Sequence, residues 1–251
     1  MKAKIEDLEA KKVEEEVLLE SVKVGEEREE QTMEEREKEE RLARWVPKTD
    51  LGKDVLAGKV KSVEEVFESG RKVLEAEIFD YLLDLKSEML MIGQSKGKFG
   101  GGKRRSWKQT QKKTIDANVT TFSVMAVVGN ENGYLGVGVG KAKETLPAKE
   151  KAIRQAKLNL MKITRGCGSF DCSCKNMHSI PLKIEGKCSG VRVILIPAPE
   201  GTNLVASDEL KRILRLAGIK DIYSRTFGQT RSTINLAKAC IDALEKLNKI
   251  K

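Results

Sequence analysis

The chain has 251 residues, of which 34% are charged and 4% aromatic, and a formal net charge of +9. That length supports one large domain or two small ones with a real core, and so few aromatics argue against base stacking as the main recognition device. No apolar run approaches membrane-spanning length, and Met1-Lys2-Ala3-Lys4 opens into glutamates, so a cytosolic protein with no membrane partner is expected.

The basic excess is uneven. Residues 1–44 hold 16 acidic and 10 basic side chains, leaving 37 basic and 22 acidic side chains, a net of +15, on the remainder. A polyanionic partner is therefore expected for the folded part. The 1–44 extension has only weak helical periodicity at Ile5, Leu8, Val13, Val17 and Leu18. Its composition favours a solvated, partly disordered tail over a partner-seeking helix.

Trp45-Val46-Pro47-Lys48-Thr49-Asp50-Leu51-Gly52 reads as an ordered segment docking onto a domain. Ser62-x-x-Glu65 is a capping box opening a helix with Val63, Val66 and Phe67 on its apolar side. Glu77 to Leu85 reads as a short helix, and Met89-Leu90-Met91-Ile92 as a short strand. Gln94 to Thr114 is the most basic stretch: eight of its 21 residues are Lys or Arg, four are Gly and none is acidic. Glycine flexibility, dense charge and Trp107 make it an arm suited to RNA phosphates; the alternative is a solvated basic loop.

From Phe122 to Val128 residues alternate as a strand that is apolar on both sides, closed by the hairpin signal Asn132-Gly133. The return strand, Tyr134 to Val139, puts Leu135, Val137 and Val139 on one face. Gly136, Gly138 and Gly140 fill the other, where a second backbone can approach closely. A helix is predicted from about Leu146 to Met161, with an apolar stripe of Ala148, Ala152, Ile153, Ala156 and Leu160. A glycine-rich strand before a lysine-studded helix suggests a nucleotide site, but the motifs fail. Ala142 follows Gly140-Lys141 where a Walker loop needs Ser or Thr, and Lys141 replaces the third glycine of a dinucleotide fingerprint. Nucleic-acid phosphates remain suited to the same lysines.

Five cysteines, three within eight residues, fit a metal site or free thiols better than a disulfide framework. Cys167, Cys172, Cys174 and His178 supply the count and type of ligands for zinc; the alternative is a loop of free cytosolic thiols around a hydrogen-bonding His178. A catalytic Cys–His pair lacks any base-orienting group or substrate pocket in the pattern. Beyond this loop, Ile180, Leu182 and Ile184 read as a strand, and Val191 to Ile196 as another. Ser207 is the expected cap of a helix reaching Ala217, with Gly218 as its stop. Ile219 to Tyr223 reads as a short strand, Ser224 to Arg231 as a basic loop, and Thr233 to about Leu247 as the last helix, capped by Ser232. Both halves are thus small α+β units, strands with a helix on one face.

Three stretches carry a family resemblance: WVPKTDLG, GYLGVGVGKAKETLPAKEKAIRQAK and HSIPLKIEGKCSGVRVILIPAPEGTNLVASDELKRILRLAGIKDIYSRTFGQTRSTINLAKACIDAL. In order and spacing they resemble small-subunit ribosomal protein five of the archaeal type, over about 200 residues from Trp45. The resemblance implies an α+β protein, with a double-stranded-RNA-binding-like half and then the family's second-domain fold, shared with some kinases and chaperone domains. It divides the chain into an acidic extension (1–44), a helical lead-in (45–93), the RNA-binding half with its basic arm (94–166), a Cys-rich insert (167–178) and the C-terminal domain (179–251). It implies no enzyme activity. The expected role is structural: binding small-subunit rRNA beside ribosomal proteins four and eight, near the channel by which mRNA enters, and supporting accuracy and assembly.

Carried onto this chain, the family's basic glycine loop falls at Gly100 to Arg105, and its G-x-G-K-A-K-E turn at Gly138 to Glu144. The expected RNA contacts are Lys96, Lys98, Lys103, Arg104, Arg105, Lys108, Lys112, Lys113, Lys141 and Lys143, with Arg225 and Arg231 as a second patch. The acidic extension has no counterpart in the family's common core. The Cys-rich insert departs from bacterial members, and the short stretch after Leu247 lacks the tail common in eukaryotic ones. An ATP- or zinc-dependent enzyme and a free-standing double-stranded-RNA module are the alternatives from other classes.

Overall fold

The computed structural model describes residues 42–94, 104–174 and 176–249. Nearly all of the acidic extension lies outside them, as do Lys96, Lys98 and Lys103. Residues from Pro47 onward form one compact unit.

It opens with three short helices, α1 (Asp50–Leu56), α2 (Val63–Glu68) and α3 (Glu77–Leu82). The sequence pattern misses α1, whose cap is Thr49: its Oγ1 accepts from Gly52 N at 3.1 Å. Glu75 pins the same turn by accepting from the backbone N–H groups of Lys48 (2.8 Å) and Thr49 (2.7 Å). The capping box on α2 forms as predicted: Ser62 Oγ accepts from Glu65 N, and Glu65 Oε2 reaches back to Lys61 N at 3.1 Å.

The first sheet has five strands: β1 (Lys86–Met89), β2 (Trp107–Lys113), β3 (Asn118–Gly129), β4 (Tyr134–Ala142) and β5 (Leu160–Lys162). All pairs are antiparallel, in the order β1-β3-β4-β5, and β2 pairs with the other end of the same long β3 edge that β1 uses. A turn joins β3 to β4, in which Glu131 and Gly133 take positive φ (56° and 98°) and Asn130 Oδ1 accepts from Asn132 N and Tyr134 N. Helix α4 (Thr145–Leu158) lies on the glycine face of β4. A Cβ on Gly136, Gly138 or Gly140 would stand 2.1–2.3 Å from the carbonyl oxygens of Ala156, Ala152 and Ala148. The three glycines thus serve close helix–strand packing, which accounts for their spacing without a nucleotide.

The second sheet, in the order β6-β7-β9-β8, contains β6 (Ile184–Cys188), β7 (Val191–Pro197), β8 (Leu204–Val205) and β9 (Ile222–Gly228). Helices α5 (Asp208–Leu216) and α6 (Thr233–Lys249) cover one side of it. The predicted cap residue Ser207 stands at the N-terminus of α5 but makes no side-chain capping bond. Gly218 ends α5 with φ +78°, as the pattern predicts. The core is continuous between the halves: Met125, Val127 and Leu135 pack in one cluster with Leu210, Leu214 and Leu244. Both faces of β3 are therefore buried, one by α4 and the other by the C-terminal half.

Four sequence expectations are corrected. The strand at Met89–Ile92 lies instead at Lys86–Met89; Leu90 N still donates to Met125 O of β3, but Met91 N turns away to Glu209 Oε2 and the pairing ends. Helix α4 stops at Leu158, and Leu160 leaves the helical stripe to pair with Gly136 in β5. The strand at Ile180–Ile184 begins only at Ile184, since Pro181 has no N–H for a ladder; Leu182 is exposed. The strand at Ile219–Tyr223 moves to Ile222–Gly228, taking Arg225 out of a loop and into β9.

Candidate nucleic-acid interface and cysteine pocket

The end of the basic stretch is a strand, not an arm: Trp107–Lys113 pairs with β3 from Val124 to Asn118. Lys108 stands opposite Ser123, which stands opposite Lys141 on β4, so one row crosses three strands. At the usual strand spacing the two lysines are about 9–10 Å apart on one face. Two-residue alternation puts Lys112 on that face and Lys113 on the other. Further along, this face carries Met125 and Leu135 into the shared core, so the lysines mark where the C-terminal half ceases to cover the sheet. Lys143 follows β4 in the turn to α4. Arg104 Nη1 donates to the backbone carbonyl of Arg231 at 3.4 Å, which joins the start of the basic strand to the loop before α6. Arg225 stands apart from them on β9. Among the described residues none of Lys108, Lys112, Lys113, Lys141, Lys143 or Arg225 has an ion-pair partner.

The cysteine loop is drawn into a pocket by its own ends. Gly166 and Ser179 form a two-sided bridge, with N–H···O distances of 2.9 and 3.0 Å. Gly168 N then donates to Ile180 O, where any Cβ would collide with Pro181 O at 1.9 Å. This pinch gathers the Sγ atoms of Cys167, Cys172 and Cys174 and a ring nitrogen of His178 within 4.8 Å of one another. Cys172 Sγ lies 3.0 Å from Cys174 Sγ, and His178 Nε2 lies 3.1 Å from Cys174 and 3.8 Å from Cys172. The thiol contact with Cys174 pulls Cys172 down to about 6, and the same contact pushes Cys174 up to about 11.

Behind the pocket stands Asp221, which the sequence pattern did not single out. Its Oδ2 accepts from His178 Nδ1 at 2.9 Å with both side chains buried, and its Oδ1 accepts from Asn203 N at 2.7 Å. The carboxylate holds the ring at Nδ1 and leaves Nε2 directed toward the cysteines. The backbone closes the same unit, because Lys220 N and Asp221 N both donate to His178 O. An acidic residue inside the predicted strand Ile219–Tyr223 was the available signal. The other cysteines stand apart: Cys240 is buried in α6, where desolvation pushes its thiol up to about 12, and Cys188 ends β6.

Two α+β units sharing one core, with a basic strand row left uncovered, suit a structural nucleic-acid-associated protein. The comparisons specify the class as ribosomal: the family model for the N-terminal domain of ribosomal protein S5 matches residues 106–164, and that for its C-terminal domain matches residues 186–251. Relatives named small ribosomal subunit protein uS5 agree. That of Thermofilum pendens is 48% identical over 80% of this chain and 93% of its own length. Those of Nanoarchaeum equitans and Methanoregula boonei are 44% and 45% identical, over 84% and 83% of this chain and 90% and 95% of their own lengths. The chain belongs to the ribosomal protein S5 family, whose members are ribosomal structural proteins and not enzymes. Among the described residues no helix is long and apolar enough to cross a membrane.

Proposed function

We propose that the chain works in the cytoplasm as a structural constituent of the small ribosomal subunit. In this reading it binds small-subunit rRNA beside ribosomal proteins four and eight, near the channel by which mRNA enters. There it supports translational accuracy and subunit assembly. The observation that carries the RNA-binding reading is the row Lys108–Ser123–Lys141, with Lys112 about 13 Å further along β2 on the same face, a set of cations without ion-pair partners among the described residues. Such a row suits phosphates at fixed spacing; the proposed set also takes in Lys143, Arg104, Arg105 and Arg231, Lys113 on the opposite face of β2, and Arg225 apart on β9. Lys96, Lys98 and Lys103 complete the proposed set. Replacing Lys108, Lys112 and Lys141 together by Ala should weaken binding to an rRNA fragment and flatten the salt dependence, by ~0.7–0.9 in log–log slope for each phosphate no longer neutralised. A slope equal to that of the wild type would remove this face from the interface.

The cysteine pocket supports a second assignment, zinc held by Cys167, Cys172, Cys174 and His178. Ligands about 2.0–2.3 Å from a tetrahedral ion stand about 3.3–3.8 Å apart. The donor atoms here already lie at 3.0–4.8 Å, and the histidine's other nitrogen is held by a buried carboxylate. Bound zinc would act as a structural cross-link between the two halves. Elemental analysis of the reduced protein should find one zinc per chain, lost in Cys172→Ser; metal-free protein with an unchanged melting temperature on zinc addition refutes the assignment.

A further inference from the structure

The second sheet has an open face. Helices α5 and α6 cover one side so tightly that a Cβ on Gly186 would stand 2.0 Å from Ala239 O. The other side alternates outward. Tyr223, Arg225 and Phe227 project from β9, and both rings are accessible, 40% and 50% exposed. The register sets cations beside them: Phe227 faces Arg192 on β7, and Arg192 faces Lys187 on β6. Arg225 faces Ile194, and Tyr223 faces Ile196 and Val205, giving the rings an apolar floor. The single carboxylate in these rows, Glu185, lies 3.5 Å from Arg192 with both side chains about half exposed, and so holds it only weakly.

We propose that this face binds single-stranded RNA. Two rings on one strand, four residues and about 13 Å apart with an arginine between them, can each carry an unpaired base. Arg192, Arg225 and Lys187 would meet the phosphates of the same strand. The charge favours a polyanion: Arg225, Arg192 and the edge-strand Lys187 share this face with one carboxylate, Glu185. The overall scarcity of aromatics does not oppose a local platform, because the two rings that matter are those brought to one open face. The inference rests on the reading that the chain binds RNA, but it concerns a different surface and a different form of RNA from the lysine row.

The test uses the full chain with a fluorescent single-stranded RNA of about a dozen nucleotides and a blunt RNA duplex. Tyr223→Ala with Phe227→Ala should lower single-strand affinity by at least about tenfold. Duplex affinity and salt slope should stay as in the wild type. Tyr223→Leu with Phe227→Leu keeps apolar area without a ring face and should show the same loss. The Lys108/Lys112/Lys141 alanine variant should do the reverse, losing duplex affinity first. Unchanged single-strand affinity in both aromatic variants overturns the inference, as does full recovery with leucine, which would show that the rings do not stack on bases. A wild-type chain that binds duplex but not single strand overturns it alone; one that binds neither overturns the RNA reading as well.

Discussion

Along β3 of the first sheet, residues of both parities are buried: Val124 and Ala126 under α4, Met125 and Val127 under the C-terminal half. Along β7 of the second sheet only one parity is buried, Val191, Val193 and Leu195, while Arg192, Ile194 and Ile196 look outward. The two sheets thus present different surfaces for recognition. The first can offer only the end of a face, where coverage stops and Lys108, Lys112 and Lys141 begin. The second offers a whole face, and its composition changes accordingly from hydroxyls and lysines to rings and arginines. How far a sheet is covered decides what kind of ligand its strands can meet.

The sharpest way to break the comparison is to strain the covered sides, where both sheets should fail alike. Gly138→Val would set a side chain 2.3 Å from backbone atoms of Ala152 and Ala156, and should cost more than about 3 kcal/mol in urea unfolding. Gly186→Val should do the same in the second sheet; a cooperative fold within about 1 kcal/mol of wild type in either case would contradict the close approach.

A smaller loss is expected at the pocket between the sheets. Asp221→Asn removes the carboxylate that holds His178 and, on the zinc assignment proposed above, should weaken zinc binding about 10–100-fold, read by competition with a chelating dye. Unaltered affinity would leave Asp221 a purely structural partner of Asn203. Smaller again, Asp80 and Lys157 meet at 2.6 Å with side chains only 18% and 15% exposed, tying α3 to α4. Asp80→Ala should cost about 2 kcal/mol, visible as a lower melting temperature and insensitive to moderate salt.

The smallest effect sits on the rim of the second sheet. Asp242 is held below the ordinary carboxylate range by its hydrogen bond from Lys246, then by the N–H of Lys187. A folded-state value below the unfolded one contributes stability that is present above the unfolded value of about 4 and is lost as pH falls through the folded value. Asp242→Asn should therefore cost about 0.5 kcal/mol near neutral pH, and the two proteins should converge in acid. A difference that grew toward low pH would reverse the assigned sign.

Much of this was legible in the residues themselves. The double-sided apolar alternation of Phe122–Val128, the glycine face of β4 and the small-residue stripe of α4 state their own packing, because burial and close approach demand those side chains whatever lies around them. The ligand types in the cysteine loop were equally plain. The misread segments are those whose conformation comes from pairing instead of from side-chain hydrophobicity. Polar β2 is a strand because β3 offers it a partner edge, and β9 continues through Arg225 because β7 does.

The sequence by itself determined two α+β units, the family, the strongly basic character of the folded part and the chemical identity of the pocket's donors, since periodicity and composition are local properties. Only the tertiary structure decided that Asp221 stands behind His178, that Lys108 and Lys141 share a row, and that Tyr223 and Phe227 face outward. Each of these depends on contacts between segments distant in the chain, whose register and covered faces are set by packing and hydrogen bonding at long range.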